Sequence, residues 1–543
     1  MTTKQFKAFI LITSLLIVFT SCKKSTNTTN AIPKDTNFVM AIDMYSLIKK
    51  GQLNELSKFD FFNTVKKEIR SEDKKTARFL NDILDNPTKT GVNYKKEIFV
   101  YTIDKSKNEK FMSVLFSLTS DSKFTEFVSE LSEKTNIDKD IVKNENYNFI
   151  QIERNIAIGW KNKKAILLTA TNFKSKKHLE FEIETLLNQK ADKSIKGNSD
   201  FNKFTSNQKD VNFWLNTSMV KGMREFISIS KNLNYDLSDN FIALHLNFNK
   251  DNVHLKTNLT PNSDLKNLLK ENKYFDKSFN SSLLNYIPKE QLGVFSMVLN
   301  PKAYLNTMKK SDGYESVEYQ FRKEMNMSID NLITAIGGSA IFSFFDVKNQ
   351  MKTFKKYDYY SGEFKETEEE SLTPIISLAF DIKDKAIIQK IIAKFPEDEF
   401  KIKNDYYTFK LDDQYPAYFA FNDKLGLITN DEVSIKSFKN KGLKNNLNSS
   451  SQKSSVKNNF TYGHLKLNLN EYPIALRNEL NNKAGRQGMQ SLKLWNDFAK
   501  SIEFNQKSAT SFEVTYKLND SKNNSLYTIL NTVDKNYKSL LGM

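Results

Sequence analysis

One pattern occurs twice in the chain, and it constrains the fold more than any other feature. The first copy opens with the string IPKD at residues 32–35, and the second opens with IPKE at residues 287–290. A β-rich run follows each string. A repeat on this scale indicates that a whole structural module has been duplicated. We therefore expect two tandem modules, covering residues 32–272 and 273–543.

Both copies then run through the same order of predicted elements. A β-hairpin is predicted at residues 98–118 of the first copy and at 339–381 of the second, each followed by an amphipathic helix. Each copy closes with another hairpin and a leucine-bearing helix. Strands that come as neighbouring hairpins favour antiparallel pairing. The predicted fold class is therefore α+β, with two tandem copies of a mostly antiparallel sheet and packed helices.

Local signals place several boundaries. Asp43 and Asn300 stand where the first helix of each copy should begin, and both residue types accept hydrogen bonds from first-turn N–H groups. Pro301 follows at a position where proline costs no hydrogen bond. The pair at residues 337–338, two glycines before a strand, predicts a turn. The Asn- and Ser-rich segment 440–459 predicts a mobile loop.

One insertion breaks the symmetry of the two copies. Residues 348–373 lengthen the second hairpin and contain three tyrosines within the string YDYY, at Tyr357, Tyr359 and Tyr360. An aromatic cluster on a segment that projects from a hairpin is a candidate contact surface for a partner. We therefore single out these three tyrosines as the candidate binding residues.

The first residues of the chain resemble an export signal. Lys4 and Lys7 precede the apolar run AFILITSLLIVFT, which is shorter than the roughly 20 residues of a membrane-spanning helix. Cys22 follows directly and is the single cysteine of the chain. The prediction is a signal peptide at residues 1–21, lipidation of Cys22, and a polar tether over 22–31. The alternative is an ordinary signal peptide that leaves Cys22 free.

Charge narrows the classes of partner. The formal net charge is +17, but only seven of the 81 basic residues are arginine, and the lysines are scattered through every segment. Nucleic-acid readers favour arginine because its planar fork matches phosphate and guanine. We therefore expect a lysine-rich solvated surface and no nucleic-acid partner. The predicted partners are a membrane, reached through the lipid on Cys22, and an envelope protein, glycan or lipid.

Short strings that suggest catalysis have a simpler explanation. The chain contains S-x-x-K at Ser46 and Lys49, K-T-G at 89–91 and S-D-N at 238–240, which together resemble the motifs of serine β-lactamases. Their order along the chain is wrong for that family, and such strings arise by chance in a chain rich in Ser, Lys and Asn. We therefore predict no catalytic residues.

Metal and cofactor signatures are likewise missing from the sequence. The four histidines, His178, His245, His254 and His464, form neither H-E-x-x-H nor H-x-H. His245 and His254 fall on the two strands of one predicted hairpin, but two imidazoles without a third ligand make a weak site. We predict no metal site and no cofactor.

The opening string IPKDTNFVMAIDMYSLIKK, the segment Asn86–Asn93, the signal-and-cysteine start and the duplicated layout together resemble the DUF4836 lipoproteins of Bacteroidota. The resemblance covers nearly the whole chain. It implies a cell-envelope lipoprotein of unknown function and brings no catalytic residues with it. No Asp follows Cys22, so we expect an outer-membrane lipoprotein on the periplasmic face, with surface exposure as the alternative.

The functional prediction is a non-catalytic binding or structural module of the cell envelope. Two alternatives remain open at this stage. One is a hydrolase of envelope polymers, because carboxylates are plentiful and a catalytic acid pair would give no short motif. The other is a lipid carrier, in which a curved sheet would enclose an apolar cavity.

Overall fold

A computed structural model describes residues 27–69, 74–106, 109–134, 141–172, 174–221, 223, 235–275, 278–411 and 415–540. The predicted signal peptide and Cys22 lie outside these residues. The chain divides into two compact units. The first comprises residues 1–221, 238–260 and 520–543, and the second comprises 222–237 and 261–519.

The described part of the first unit contains ten strands that pair in one antiparallel order. That order is β10-β9-β8-β1-β2-β3-β7-β6-β5-β4. The strands are β1 (Phe38–Ile42), β2 (Ile98–Ser106), β3 (Glu109–Ser117), β4 (Val142–Lys143), β5 (Asn148–Glu153), β6 (Ile156–Lys161), β7 (Lys164–Ala170), β8 (Val211–Asn216), β9 (Phe241–Phe248) and β10 (Asn252–Thr260).

Helices cover both faces of this sheet, which explains why its central strands are apolar at consecutive positions. On β7, Ile166 and Leu168 face one apolar cluster while Leu167 faces another. The helices of the unit are α1 (Met44–Gly51), α2 (Asp60–Ile69), α3 (Lys74–Asp85), α4 (Asp121–Lys134), α5 (Lys176–Leu187), α6 (Ser199–Ser206) and, at the other end of the chain, α15 (Ser525–Leu540). Short 3-10 helices occur at Asn27–Ala31, Leu53–Lys58, Pro87–Thr90, Ala191–Lys193, Ile195–Gly197 and Thr217–Val220.

The second unit also has ten described strands, again all antiparallel. Their order is β20-β19-β18-β11-β12-β13-β17-β16-β15-β14. The strands are β11 (Gly293–Val298), β12 (Ile336–Asp358), β13 (Glu363–Ile382), β14 (Lys401–Lys403), β15 (Tyr406–Leu411), β16 (Tyr415–Phe421), β17 (Leu425–Thr429), β18 (Thr461–Lys466), β19 (Ala499–Ser508) and β20 (Ser511–Leu518). The predicted α+β class with antiparallel pairing is confirmed.

Eight helices are described in the second unit. They are α7 (Ser263–Asn272), α8 (Pro301–Met308), α9 (Tyr314–Met325), α10 (Ile329–Ala335), α11 (Lys385–Ile392), α12 (Glu432–Ser437), α13 (Lys453–Asn458) and α14 (Ile474–Phe498), which kinks at Gly485. Short 3-10 helices occur at Ser281–Tyr286, Leu447–Ser449 and Leu469–Glu471. Across the described residues of both units, every helix is too short or too polar to span a membrane.

The last helix of the chain packs within the first unit. Leu526 and Leu530 of α15 lie against Gly51 at the end of α1, where an added Cβ would come within 2.9 Å of the Leu530 side chain. In the second unit, α7 has the corresponding place: its Leu268 packs in one apolar cluster with Ala303 of α8. Each unit therefore contains a leucine-bearing helix beside the helix that follows its first strand.

Two local predictions were wrong, and the prediction of the two N-caps was confirmed for their positions but only in part for their hydrogen bonds. Segment 440–459 forms a 3-10 helix and α13, and it buries Leu447 and Val456 in the apolar core. The backbone around Gly338 is an irregular stretch inside β12 and not a turn, since the register with β13 shifts there. Asp43 caps α1 by accepting from Ser46 N at 2.9 Å, as predicted, whereas the Asn300 side chain makes no cap bond.

Candidate interaction surface

The three tyrosines singled out from the sequence lie at the end of one long hairpin. The strands β12 and β13 pair without interruption from Lys348–Thr373 to Asp358–Glu363. In the described part of the chain, the outer edges of this stretch pair with no further strand. The pairing of β11 with β12 ends at Phe344, and the pairing of β17 with β13 ends at Ser377. The hairpin therefore extends about 35 Å beyond the sheet, at ~3.4 Å per residue.

A compact turn closes the hairpin. The Asp358 carboxylate accepts from the backbone N–H of Tyr360 at 2.8 Å, and the Gly362 N–H donates to the Asp358 carbonyl at 2.8 Å. Gly362 has φ of 72°, a left-handed conformation that glycine adopts without steric cost. Lys365 forms an ion pair with Asp358. The hydrogen bond from Lys365 and those from the backbone N–H groups of the turn lower the pKa of that carboxyl. The turn thus fixes the loop that carries the tyrosines.

Four aromatic side chains crowd this tip and remain exposed. Tyr359 and Tyr360 expose 89% and 104% of the reference area, while Tyr357 and Phe364 expose 47% and 68%. Tyr357 and Phe364 are directly opposite in the ladder, with ring centroids 5.3 Å apart at 66°. Tyr357 also meets Tyr359 edge to face at 5.3 Å. We call these four residues the aromatic tip.

Phe364 was missed in the sequence analysis, although the signal was available. It lies at the start of the returning strand, and a turn centred on residues 359–362 sets it opposite Tyr357. A turn predicted at residues 359–362 would have placed Phe364 opposite Tyr357. Met351 and Phe354, which are 57% and 38% exposed, lie further down the same strand as Tyr357.

The strings that resemble a serine β-lactamase do not assemble. Ser46 donates to Asp210 at 2.5 Å, and the lysine that joins them is Lys50, whose Nζ lies 2.7 Å from Asp210, whereas Lys49 is exposed. Asp210 also accepts from Phe248 N at 2.6 Å. The carboxylate therefore ties α1 to the sheet, and Ser46 is one of the donors that hold it there.

The other two strings bond elsewhere. Thr90 donates to the Pro87 carbonyl at 2.7 Å and lies 3.0 Å from the Tyr94 hydroxyl, so it holds a local turn. Asp239 accepts from the Ser218 hydroxyl at 2.8 Å. Each of these two strings therefore contributes hydrogen bonds to its own loop.

The histidines occupy separate surroundings. His245 is buried with its Nδ1 2.9 Å from Asn212 Oδ1, and burial lowers its pKa. His254 lies opposite Asn247 in the ladder, so it does not sit directly across from His245. His178 pairs with Glu109 at 2.8 Å. No group of three or more His, Cys, Asp or Glu side chains within the described ranges is arranged to hold a metal ion.

The model of a family described as Domain of unknown function (DUF4836) matches residues 28–526. No curated protein matches the chain. Among solved structures, the chain is similar to "Structure of crystal form I of TP0453", with 11% identity and a TM-score of 0.23 over 46% of this chain and 86% of that chain. A similarity this weak carries no conclusion about fold or function.

Proposed function

Because the chain belongs to the DUF4836 family, whose function is unknown, we propose from its own geometry that it is a non-catalytic binding protein of the bacterial cell envelope. Its binding element is the aromatic tip on the β12–β13 hairpin. The observation that carries the proposal is the exposure of four aromatic rings on a braced turn, away from the sheet. Aromatic side chains contribute strongly to protein interfaces because they bury much apolar area with few rotatable bonds.

The glutamates of β13, which the lysines of β12 face across the hairpin, favour a protein over an anionic bilayer as the partner of this strand. Exposed acidic side chains line β13 beside the tip, at Glu363, Glu366, Glu368, Glu369 and Glu370. An acidic strand is repelled by an anionic lipid surface and attracted by a basic protein surface. The partner we propose is therefore an envelope protein with an apolar pocket for the rings and a basic rim.

The proposed internal duplication is supported by several matching features. The ten strands of each unit follow the same order when the two sets are numbered from the start of each unit. The strings IPKD and IPKE also make equivalent backbone hydrogen bonds. Ile195 N donates to Ile32 O at 2.9 Å, and Leu447 N donates to Ile287 O at 2.8 Å. Independent origins would not be expected to reproduce such bonds.

The proposed location rests on the leader. A short apolar run that ends at Cys22 fits export and lipidation, and two or more acyl chains would hold the protein stably at a membrane. The proposal includes the periplasmic face of an outer membrane in Bacteroidota. Mass spectrometry of the native protein should find residues 1–21 removed and acyl groups on Cys22. Protease treatment of intact cells should leave the chain whole, and its digestion would instead indicate surface exposure.

Binding by the tip is tested with a photo-crosslinking amino acid. Placed at Tyr360, it should yield one discrete protein adduct in native membranes. The matched control places it at Tyr319 of α9, an aromatic residue with 69% exposure. The Tyr359→Ser/Tyr360→Ser variant should reduce partner capture about tenfold or more, as expected for loss of interface aromatics. Equal capture by this variant and by Tyr319→Ser would contradict the proposal.

A further inference from the structure

The hairpin carries an acidic row below its aromatic tip. Glu366, Glu368 and Glu370 occupy alternate positions of β13 and are exposed. Alternate residues of a strand point to the same face, so the three carboxylates form a row. Glu366 lies opposite Lys355 of β12, whereas Glu368 and Glu370 lie opposite the uncharged Thr353 and Met351. Such a row is expected to attract a basic surface of matching spacing.

A basic edge of matching spacing exists in the second unit. The strand β14 (Lys401–Lys403) pairs with β15 and with no other strand in the described chain, which leaves its outer edge open. All three of its residues are exposed, and Ile402 exposes 72% of its area. Lys401 and Lys403 alternate along the strand as the glutamates do. An open edge with unpaired backbone groups is a template for one more strand.

We propose that a second copy of this chain docks the acidic outer edge of its β13 onto β14. Main-chain hydrogen bonds would extend the sheet by one strand, in the manner of β-augmentation. Lys401 and Lys403 would then lie opposite two glutamates of the row, with Cβ atoms about 5 Å apart. The two surfaces differ, so the contact is heterologous and joins copies head to tail.

Charge disfavours the simpler symmetric contact. Two hairpins that paired β13 against β13 would set Glu366, Glu368 and Glu370 of one copy against those of the other. Pairing β12 against β12 would oppose Lys355 and Lys356 in the same way. Like charges directly opposite each other destabilise a sheet. The hairpin extends about 35 Å from its own sheet, which lets it reach the edge of a second molecule.

The test compares charge-reversed full-length chains in the same detergent, so that any association through the tether is equal in all samples. One variant carries Glu366→Lys, Glu368→Lys and Glu370→Lys, and the other carries Lys401→Glu and Lys403→Glu. In sedimentation velocity, the wild type should form dimers and larger species with rising concentration. Each variant alone should associate about tenfold more weakly, and the two mixed should again form dimers and larger species in which the two variants alternate.

Controls separate this contact from a general charge effect and from misfolding. The variant Glu315→Lys/Glu324→Lys reverses two exposed charges on α9 and should associate like the wild type. Circular dichroism should show unchanged folding for every variant. A wild type that stays monomeric at all concentrations, or variants that associate as it does, would overturn the proposal. Neither result would bear on partner capture by Tyr359 and Tyr360, which lie outside the row.

Discussion

The Asp534 carboxylate accepts the backbone N–H groups of Asp60 at 2.9 Å and Phe61 at 2.7 Å. These N–H groups belong to the first turn of α2, where no intrahelical acceptor is available. A side chain from α15, far away in sequence, therefore does what an N-cap residue usually does from the adjacent position. The helix pair is further joined by an edge-to-face contact between Phe59 and Tyr527, with centroids 6.5 Å apart.

Replacing that acceptor should destabilise the first unit. Asp534→Ala removes both bonds and should lower the free energy of unfolding by about 1–2 kcal/mol, the range seen for lost helix caps. The matched control is Lys535→Ala, because Lys535 is the exposed next residue. Urea denaturation followed by circular dichroism measures both. Equal stability of the two variants would show that the α2 N–H groups find water instead.

A larger loss is expected at Asp210. It accepts from Ser46, Lys50 and Phe248, and it is 2% exposed. Asp210→Ala should lower the free energy of unfolding by about 3–5 kcal/mol, because its removal leaves the three donors without an acceptor. Ser46→Ala should cost only ~1 kcal/mol, since two donors to Asp210 remain. Asp192→Asn, at an exposed position, should leave the unfolding midpoint unchanged in the same titration.

Two histidines should make the fold acid-sensitive. Burial lowers the pKa of His245. Burial also lowers the pKa of His464, and the nearby charges of Lys517 and Lys466 lower it further, although the Glu503 carboxylate acts to raise it. A histidine whose folded pKa lies below its unfolded value, about 6.5, takes up its proton more readily when unfolded. Stability should therefore be full above that pH and fall as the pH drops through it towards the folded values.

Urea midpoints at pH 7.5, 6.5 and 5.5 check this expectation, since lost stability appears directly as a lower midpoint. The double variant His245→Gln/His464→Gln should show a flatter dependence than the wild type, whatever its absolute stability. Parallel curves for both proteins would mean that other groups cause the pH dependence.

The irregular stretch of β12 predicts a steric effect. A Cβ added at Gly338 would lie 2.2 Å from the Leu299 carbonyl oxygen, which is backbone and cannot rotate away. Gly338→Ala should therefore destabilise the second unit by about 1–3 kcal/mol, as overpacking does. Gly197→Ala is the control, because a Cβ there meets nothing within 4 Å. A thermal melt of each variant gives the comparison, and equal melting temperatures would contradict the expected clash.

The sequence predicted those parts of the fold that depend on local periodicity. The two hairpins and the amphipathic helix after each were recognisable because strand and helix periods differ, and the tyrosines of the tip were recognisable as an aromatic cluster in an insertion. Segment 440–459 was misread because its polar composition outweighed two apolar residues, Leu447 and Val456, that are buried only by tertiary packing. Composition alone does not show which residues of a polar segment will be buried against the rest of the chain.

Contacts between distant positions could not be predicted in this way. Ser46 and Asp210 are 164 residues apart, and nothing in either neighbourhood identifies the other. The string S-x-x-K directed attention to Lys49, yet one further step around α1 brings Lys50 to the carboxylate. The same holds for Asp534 and α2. Such pairs require the fold before they can be named.

The position of α15 in the first unit sets an order of events during biosynthesis. Most of that unit is translated early, but the helix that covers Gly51 and caps α2 is translated after the whole of the second unit. A nascent chain cannot complete its amino-terminal unit until residue 540 has left the ribosome. Premature termination anywhere in the second unit would therefore leave the first unit without this helix, with Gly51 uncovered and the first-turn N–H groups of α2 without the Asp534 acceptor.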